Sequence, residues 1–269
     1  MKGTCGDRCR SSGSASMVSL PPPGVSGSRW RESVLAAGAR FATRSRRRRG
    51  EMFRRLVPVH PTDRVLDLGG CDGTYMASLG LQADVYIADV DRPAVELGAR
   101  RHGFTPVVVP PSGRLPFPDQ YFDVVFCSSV IEHVTVPVEQ LRSVMSTAEF
   151  ARRARPAQRQ FATEVRRLGK RYFVQTPSRF FPIESHTWMP GIFVALPRSW
   201  QVGLVDRANH WWPKTSEVDF HLLNEDELRQ AFPDAAILRE RVMGVTKSLI
   251  AVKAGIAPVA GAPTHRSGG

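Results

Sequence analysis

The chain predicts an α/β protein built on a doubly wound sheet, and three observations carry that reading. Short apolar runs alternate with helix-forming stretches from residue 64 onward. The first run, Val65-Leu66-Asp67-Leu68, is followed by glycines at Gly69, Gly70 and Gly73. The second, Val85-Tyr86-Ile87-Ala88, closes on Asp89, about twenty residues on, where such folds place a carboxylate beside a nucleotide ribose.

Each element has a local reason. Residues 51–59 form a short helix stopped by Pro58 and Pro61. Strands are expected at 65–68, 84–88, 106–109, 123–127, 172–175, 236–241 and 248–252, where apolar runs are bounded by turn residues. Helices are expected at 74–80, 92–102, 138–168 and 225–232. Asp91-Arg92-Pro93 starts the second of these, with Asp91 as N-cap and Pro93 in the first turn. The third is interrupted at Pro156, and its run of arginines between 143 and 170 reads as a solvated face.

The glycine turn narrows the ligand. Glycine is needed where the backbone takes a positive φ or must lie against a ligand without an intervening Cβ. A dinucleotide fingerprint would need glycines at positions 71 and 74, where Cys71 and Thr74 stand, so NAD is disfavoured. The stretch R-V-L-D-L-G-G-C-D-G-T (64–74) resembles motif I of the class I S-adenosylmethionine (SAM) methyltransferases, matched at Asp67, Gly69 and Gly73 and broken at Cys71. L-P-F-P-D-Q-Y-F-D-V-V-F-C-S-S-V-I-E-H-V (115–134) is similar to the post-III and motif IV region of the type 11 branch of that family. The resemblance implies a Rossmann-like, seven-stranded doubly wound sheet with a final antiparallel strand, and SAM as cofactor.

On that resemblance the cofactor residues are Asp67, Gly69, Gly70, Cys71, Gly73, Asp89, Val90, Ser112 and Ser128, all at or beyond the carboxyl ends of strands. The turn would admit the carboxypropyl amino acid beside backbone amides at a helix N-terminus. The acid that the family often carries shortly before L-P-F is absent from Val109-Pro110-Pro111-Ser112-Gly113, so backbone groups or Ser112 would have to meet the adenine.

Composition bounds the rest. The chain has 269 residues, 42% of them hydrophobic, enough for a buried core. It shows neither an apolar run long enough to span a membrane nor an apolar signal core, and the expectation is a cytoplasmic protein. Four cysteines in this length do not suggest a disulfide scaffold, and no metal site is expected. The net charge of +12 is concentrated: residues 1–50 carry +9 and the remainder +3. Residues 1–50 are expected to be a disordered basic leader, 51–255 the methyltransferase domain, and 256–269 a disordered tail.

A segment at 176–223 is too long for a simple connection and rich in rings, among them Phe180, Phe181, Trp188, Phe193, Trp200, Trp211, Trp212 and Phe220. It is expected to be a substrate-binding insertion, whose run 191–196 could rest on a membrane surface or receive a lipid-like acceptor. Methyl transfer from a sulfonium needs positioning and, for a protonated nucleophile, a base. His186, His133 and Glu184 are the candidates by location. The expected activity is methylation of a small-molecule, glycan or lipid-like acceptor, at oxygen. Nucleic-acid methylation is the first alternative, motivated by the arginines. Its signatures are missing: Cys127-Ser128-Ser129-Val130 replaces the Asn/Asp-Pro-Pro-aromatic sequence of base-amino methylation, and no Pro-Cys nucleophile is present. A non-catalytic SAM-fold binding protein is the second.

Overall fold

The computed structural model describes residues 28–182, 187–210, 212 and 215–255. Five parallel strands, β1 (Arg64–Leu68), β2 (Asp84–Asp89), β3 (Thr105–Val108), β4 (Phe122–Ser128) and β5 (Gly169–Pro177), share one sheet with β6 (Ala236–Val242) and β7 (Val245–Lys253). The order is β3-β2-β1-β4-β5-β7-β6, and β7 is antiparallel to both neighbours, as the resemblance implied.

Alternation along the strands gives each face its own core. Leu66, Leu68, Val125, Cys127, Tyr172 and Val174 meet helices α4 (Thr147–Leu168) and α6 (Glu225–Ala231) on one side. Val65, Val124, Phe126 and Phe173 meet α1 (Ser28–Leu56), α2 (Thr74–Ser78) and α3 (Arg92–His102) on the other. The start of α3 is as expected: the Asp91 side chain accepts from Ala94 N at 3.1 Å.

The expected boundary at residue 50 falls inside α1. Composition marks this stretch as basic and polar, but the helical register decides its fate: Ser45, Arg49 and Phe53 recur every four residues and face the domain. Phe53 packs edge-on to Phe126 and Phe173, with centroids 4.8 and 5.5 Å away. A Cβ on Gly50 would lie 2.5 Å from the Leu79 side chain, and Tyr75 donates its hydroxyl to the Arg46 carbonyl at 2.9 Å. Further out, the Trp188 ring lies against Gly38, and Phe41 stacks on Phe181 at 6.5 Å. Deleting everything before residue 51 would uncover these contacts. Thermal melting should then fall by about 5 °C or more, given a few degrees per kcal/mol for a domain this size; an unchanged melting temperature would mean that α1 does not dock.

Residues 1–27 and 256–269 of the expected leader and tail lie outside the described residues. The expected helix 138–168 begins later, at Thr147, where the Ser146 hydroxyl accepts from Glu149 N. Residues Val138–Gln140 form a separate 3₁₀ turn. The helix continues through Pro156 without a break. An eleven-residue helix, α5 (Arg198–Ala208), stands inside the 176–223 segment. With Phe193, Val218, Phe220 and Leu222 it forms a small core of its own.

Candidate functional site

The strand order reverses between β1 and β4, and the loops leaving these two strands meet there. Asp67 of β1 is paired with Phe126 of β4, which sets the turn after β1 beside Ser128 at the end of β4. Gly69 and Gly73 have φ of 80° and 67°, and Cys71 has φ of 55°. All three conformations are ones that glycine adopts most cheaply, so the left-handed backbone expected of a glycine at 71 is kept with a side chain on it. A Cβ on Gly69 would lie 2.3 Å from Val130, and one on Gly70 would lie 2.1 Å from Asp67 Oδ2. Gly98 of α3 lets that helix approach, since a Cβ there would stand 2.5 Å from the Asp72 carbonyl.

Two acids flank this turn. Asp89 accepts from Cys71 N through Oδ2 and from Asp91 N through Oδ1, both at 3.1 Å, so it ties the glycine turn to the end of β2. Asp67 is 3% exposed, and its Oδ2 has no hydrogen-bond partner among the described residues. Burial, then the charges of Asp89 and Asp72, push its carboxyl up to about 8.

Beyond β4, the Ser128 hydroxyl accepts from Arg49 Nη1 at 2.7 Å and donates to Gln175 Oε1 at 3.0 Å. Ser129 donates to the same Gln175 oxygen. Glu132 is fully buried, and its Oε2 accepts from Thr176 Oγ1 at 3.0 Å. Burial raises its carboxyl above the ordinary range. His133 Nδ1 stands 3.0 Å from Asp219 Oδ2. The segment bearing Asp219 is pinned to the loop after β4 by four hydrogen bonds: Thr135 Oγ1 to the Asp219 carbonyl, His221 N to the Glu132 carbonyl, and Gln158 Nε2 to both the Ile131 and the His221 carbonyls.

The structure thus brings Asp67, Gly69, Gly70, Cys71, Gly73, Asp89 and Ser128 to one end of the sheet, with His133 on the loop that follows. Val90 follows Asp89 and is half exposed. Ser112 is bonded elsewhere: its hydroxyl accepts from Arg114 N, and its carbonyl accepts from Gln160 of α4. Glu184 and His186 lie outside the described residues, as does Trp211. Sequence reasoning missed Arg49, Gln175 and Asp219, whose places depend on how α1, β5 and the 215–223 segment pack. A glycine inside the α3 pattern, Gly98, was the one local sign of a close approach. Among the described residues no group of three or more His, Cys, Asp or Glu is placed to hold a metal ion. No described helix is long and apolar enough to cross a membrane.

Residues 66–167 match the family described as a methyltransferase domain, type 11. The ubiquinone/menaquinone biosynthesis C-methyltransferase UbiE of Vibrio campbellii is 35% identical over 96 residues, which cover 32% of this chain and 37% of that protein. The UbiE of Ectopseudomonas mendocina is 31% identical over 100 residues, covering 34% and 39%. The matched stretch therefore spans under two fifths of the length of these curated relatives. Among solved structures, the PH0226 protein from Pyrococcus horikoshii OT3 aligns over 78% of this chain and 90% of its own, at 16% identity and a TM-score of 0.48. A SAM dependent methyltransferase from Aquifex aeolicus aligns over 75% and 86%, at 16% identity and a TM-score of 0.42.

SAM, the cofactor of that family, carries an ammonium, a sulfonium, a carboxylate and a ribose diol. The site has matching groups: an orphaned carboxylate oxygen on Asp67, a second carboxylate on Asp89, and a turn whose backbone has no Cβ at 69, 70 or 73. The acid, the glycine turn, the second acid and the loop after β4 all fall inside the matched residues. Residues 66–167 of this chain belong to the type 11 branch of the class I SAM-dependent methyltransferases.

Proposed function

We propose that this chain transfers the methyl group of SAM to a hydroxyl of a small-molecule, glycan or lipid-like acceptor bound by the 176–223 segment. The observation that carries the proposal is the His133–Asp219 pair, held at 3.0 Å on the loop that leaves β4 beside the glycine turn. SAM, when bound, supplies a methyl group already activated by its sulfonium, so the protein's work is to position the acceptor and take its proton. A carboxylate on Nδ1 makes that nitrogen the donor and leaves Nε2 as the basic nitrogen of the ring. Glu132, buried and bonded by Thr176, holds its proton to a higher pH than an ordinary carboxyl, and it supports the loop rather than competing as base. Burial likewise pushes the Cys127 thiol up, which removes it as a nucleophile.

Support for an apolar acceptor comes from the rings of the 176–223 segment. Phe193 and Phe220 build its core, while Phe180 and Trp200 are 77% and 65% exposed. Exposed rings of this size on one segment suit an apolar or lipid-like ligand better than a sugar phosphate. Methylation at carbon is a second reading, favoured by the C-methyltransferase activity for which the relatives are named. The His133–Asp219 pair would serve either, taking the proton from oxygen or from a ring carbon. Nuclear magnetic resonance of the product made with carbon-13 methyl-labelled SAM separates the two, because O-methyl and C-methyl carbons resonate far apart.

Cofactor binding is tested through Asp89. With one bond accepted on each oxygen, its remaining lone pairs can accept from ribose hydroxyls. Asp89→Ala should weaken SAM binding about tenfold or more, the scale of charge-assisted hydrogen bonds. Unchanged affinity by calorimetry would take Asp89 out of the site.

A further inference from the structure

Arg49 is a buried cation that makes no direct ion pair among the described residues, although its charge reaches the buried Glu132 carboxyl. Its residue is 8% exposed, and among the described residues no carboxylate comes within ion-pair distance of it. One guanidinium nitrogen donates to Ser128 Oγ at 2.7 Å, and Nε is buried without a hydrogen-bond partner. A buried guanidinium is costly unless its donors and its charge are met, so this geometry calls for an anion.

Its location says where that anion comes from. Ser128 ends β4 beside the glycine turn, and Arg49 precedes Gly50, which packs on Leu79 just past α2. Gln175 shares the Ser128 hydroxyl, and its own Nε2 is a second buried donor without a partner among the described residues. Two unused donors thus gather on one hydroxyl, at the same end of the sheet as the unused acceptor on Asp67. The helix that follows the glycine turn is only five residues long, too short for its terminus to hold a carboxylate unaided.

We infer that Arg49 binds the carboxylate of the methionine moiety of SAM, as the charged partner that α1 delivers to the site. The inference rests on the SAM reading above. The guanidinium fork can meet a carboxylate with two parallel bonds while Ser128 holds its orientation. It also gives the docking of α1 a role in binding, since the helix carries one wall of the cofactor site.

The test compares ligands that differ only at the amino-acid end. Wild type and Arg49→Met are titrated with SAM, S-adenosylhomocysteine and 5′-methylthioadenosine, which keeps the nucleoside and the sulfur but lacks the carboxylate. Arg49→Met should lose about tenfold or more in affinity for the first two and change by less than about twofold for the third. Arg49→Lys should fall between, because it keeps the charge without the fork. Equal losses for all three ligands would make Arg49 a structural residue, and unchanged SAM affinity would leave the carboxylate to another group; either overturns the inference. A wild-type protein that binds none of the three would overturn the SAM reading itself.

Discussion

Binding of SAM at pH 7 is expected to release close to one proton, and Asp67→Asn is expected to abolish that release. Asp67 is buried beside the glycine turn, and desolvation first, then Asp89 and Asp72, push its carboxyl up to about 8. At pH 7 the empty site therefore holds it mostly neutral. A cation lodged against the orphaned Oδ2 favours the ionised form, so binding must expel the proton. By linkage, affinity should rise nearly tenfold from pH 6 to 7 and about fivefold from pH 7 to 8. It should level off above pH 8, where the carboxyl of the empty site becomes mostly ionised and an α-amino group loses its own proton. The fold responds with the opposite sign. Asp67 keeps its proton to about pH 8 when folded and only to about pH 4 when unfolded, so the native state binds more protons in that window and stability falls as pH rises through it. Asp67→Asn should flatten both dependences. Calorimetry in two buffers of different ionisation heat reads the released proton directly, and a buffer-independent heat for the wild type would remove Asp67 from the cation's contact.

The part of this site that was legible in the sequence is the part built from consecutive residues. Asp67, the three glycines and Asp89 announce themselves because a strand ending in a tight turn restricts which residues can stand there. Even the departure at Cys71 was informative, since its φ of 55° shows the backbone to be the one a glycine would take. Arg49, Gln175 and Asp219 were not legible, because each reaches the site from a separate element. An arginine in a run of four reads as a solvated charge until the register of α1 turns one of them inward. The same register explains the misplaced domain boundary: counting arginines and serines hides the fact that Ser45, Arg49 and Phe53 lie on one face. His133 could be nominated by position, but the carboxylate that faces its Nδ1 lies 86 residues away.

That pairing carries the remaining large effect. His133→Ala is expected to lower turnover about a hundredfold, the usual contribution of a positioned base, with SAM affinity little changed. Asp219→Asn should cost a comparable factor by a different route. An amide nitrogen facing Nδ1 favours the tautomer with the proton on Nε2, and the ring then has no basic nitrogen for the acceptor. A structural role makes different demands. If the pair serves only to anchor the 215–223 segment to the loop after β4, Asp219→Asn should lower thermal stability and raise KM for the acceptor while kcat holds. Added imidazole separates the two further, since it can restore proton transfer to His133→Ala but cannot rebuild a packing contact. A stable His133→Ala protein with full turnover would overturn the assignment and return attention to His186 and Glu184.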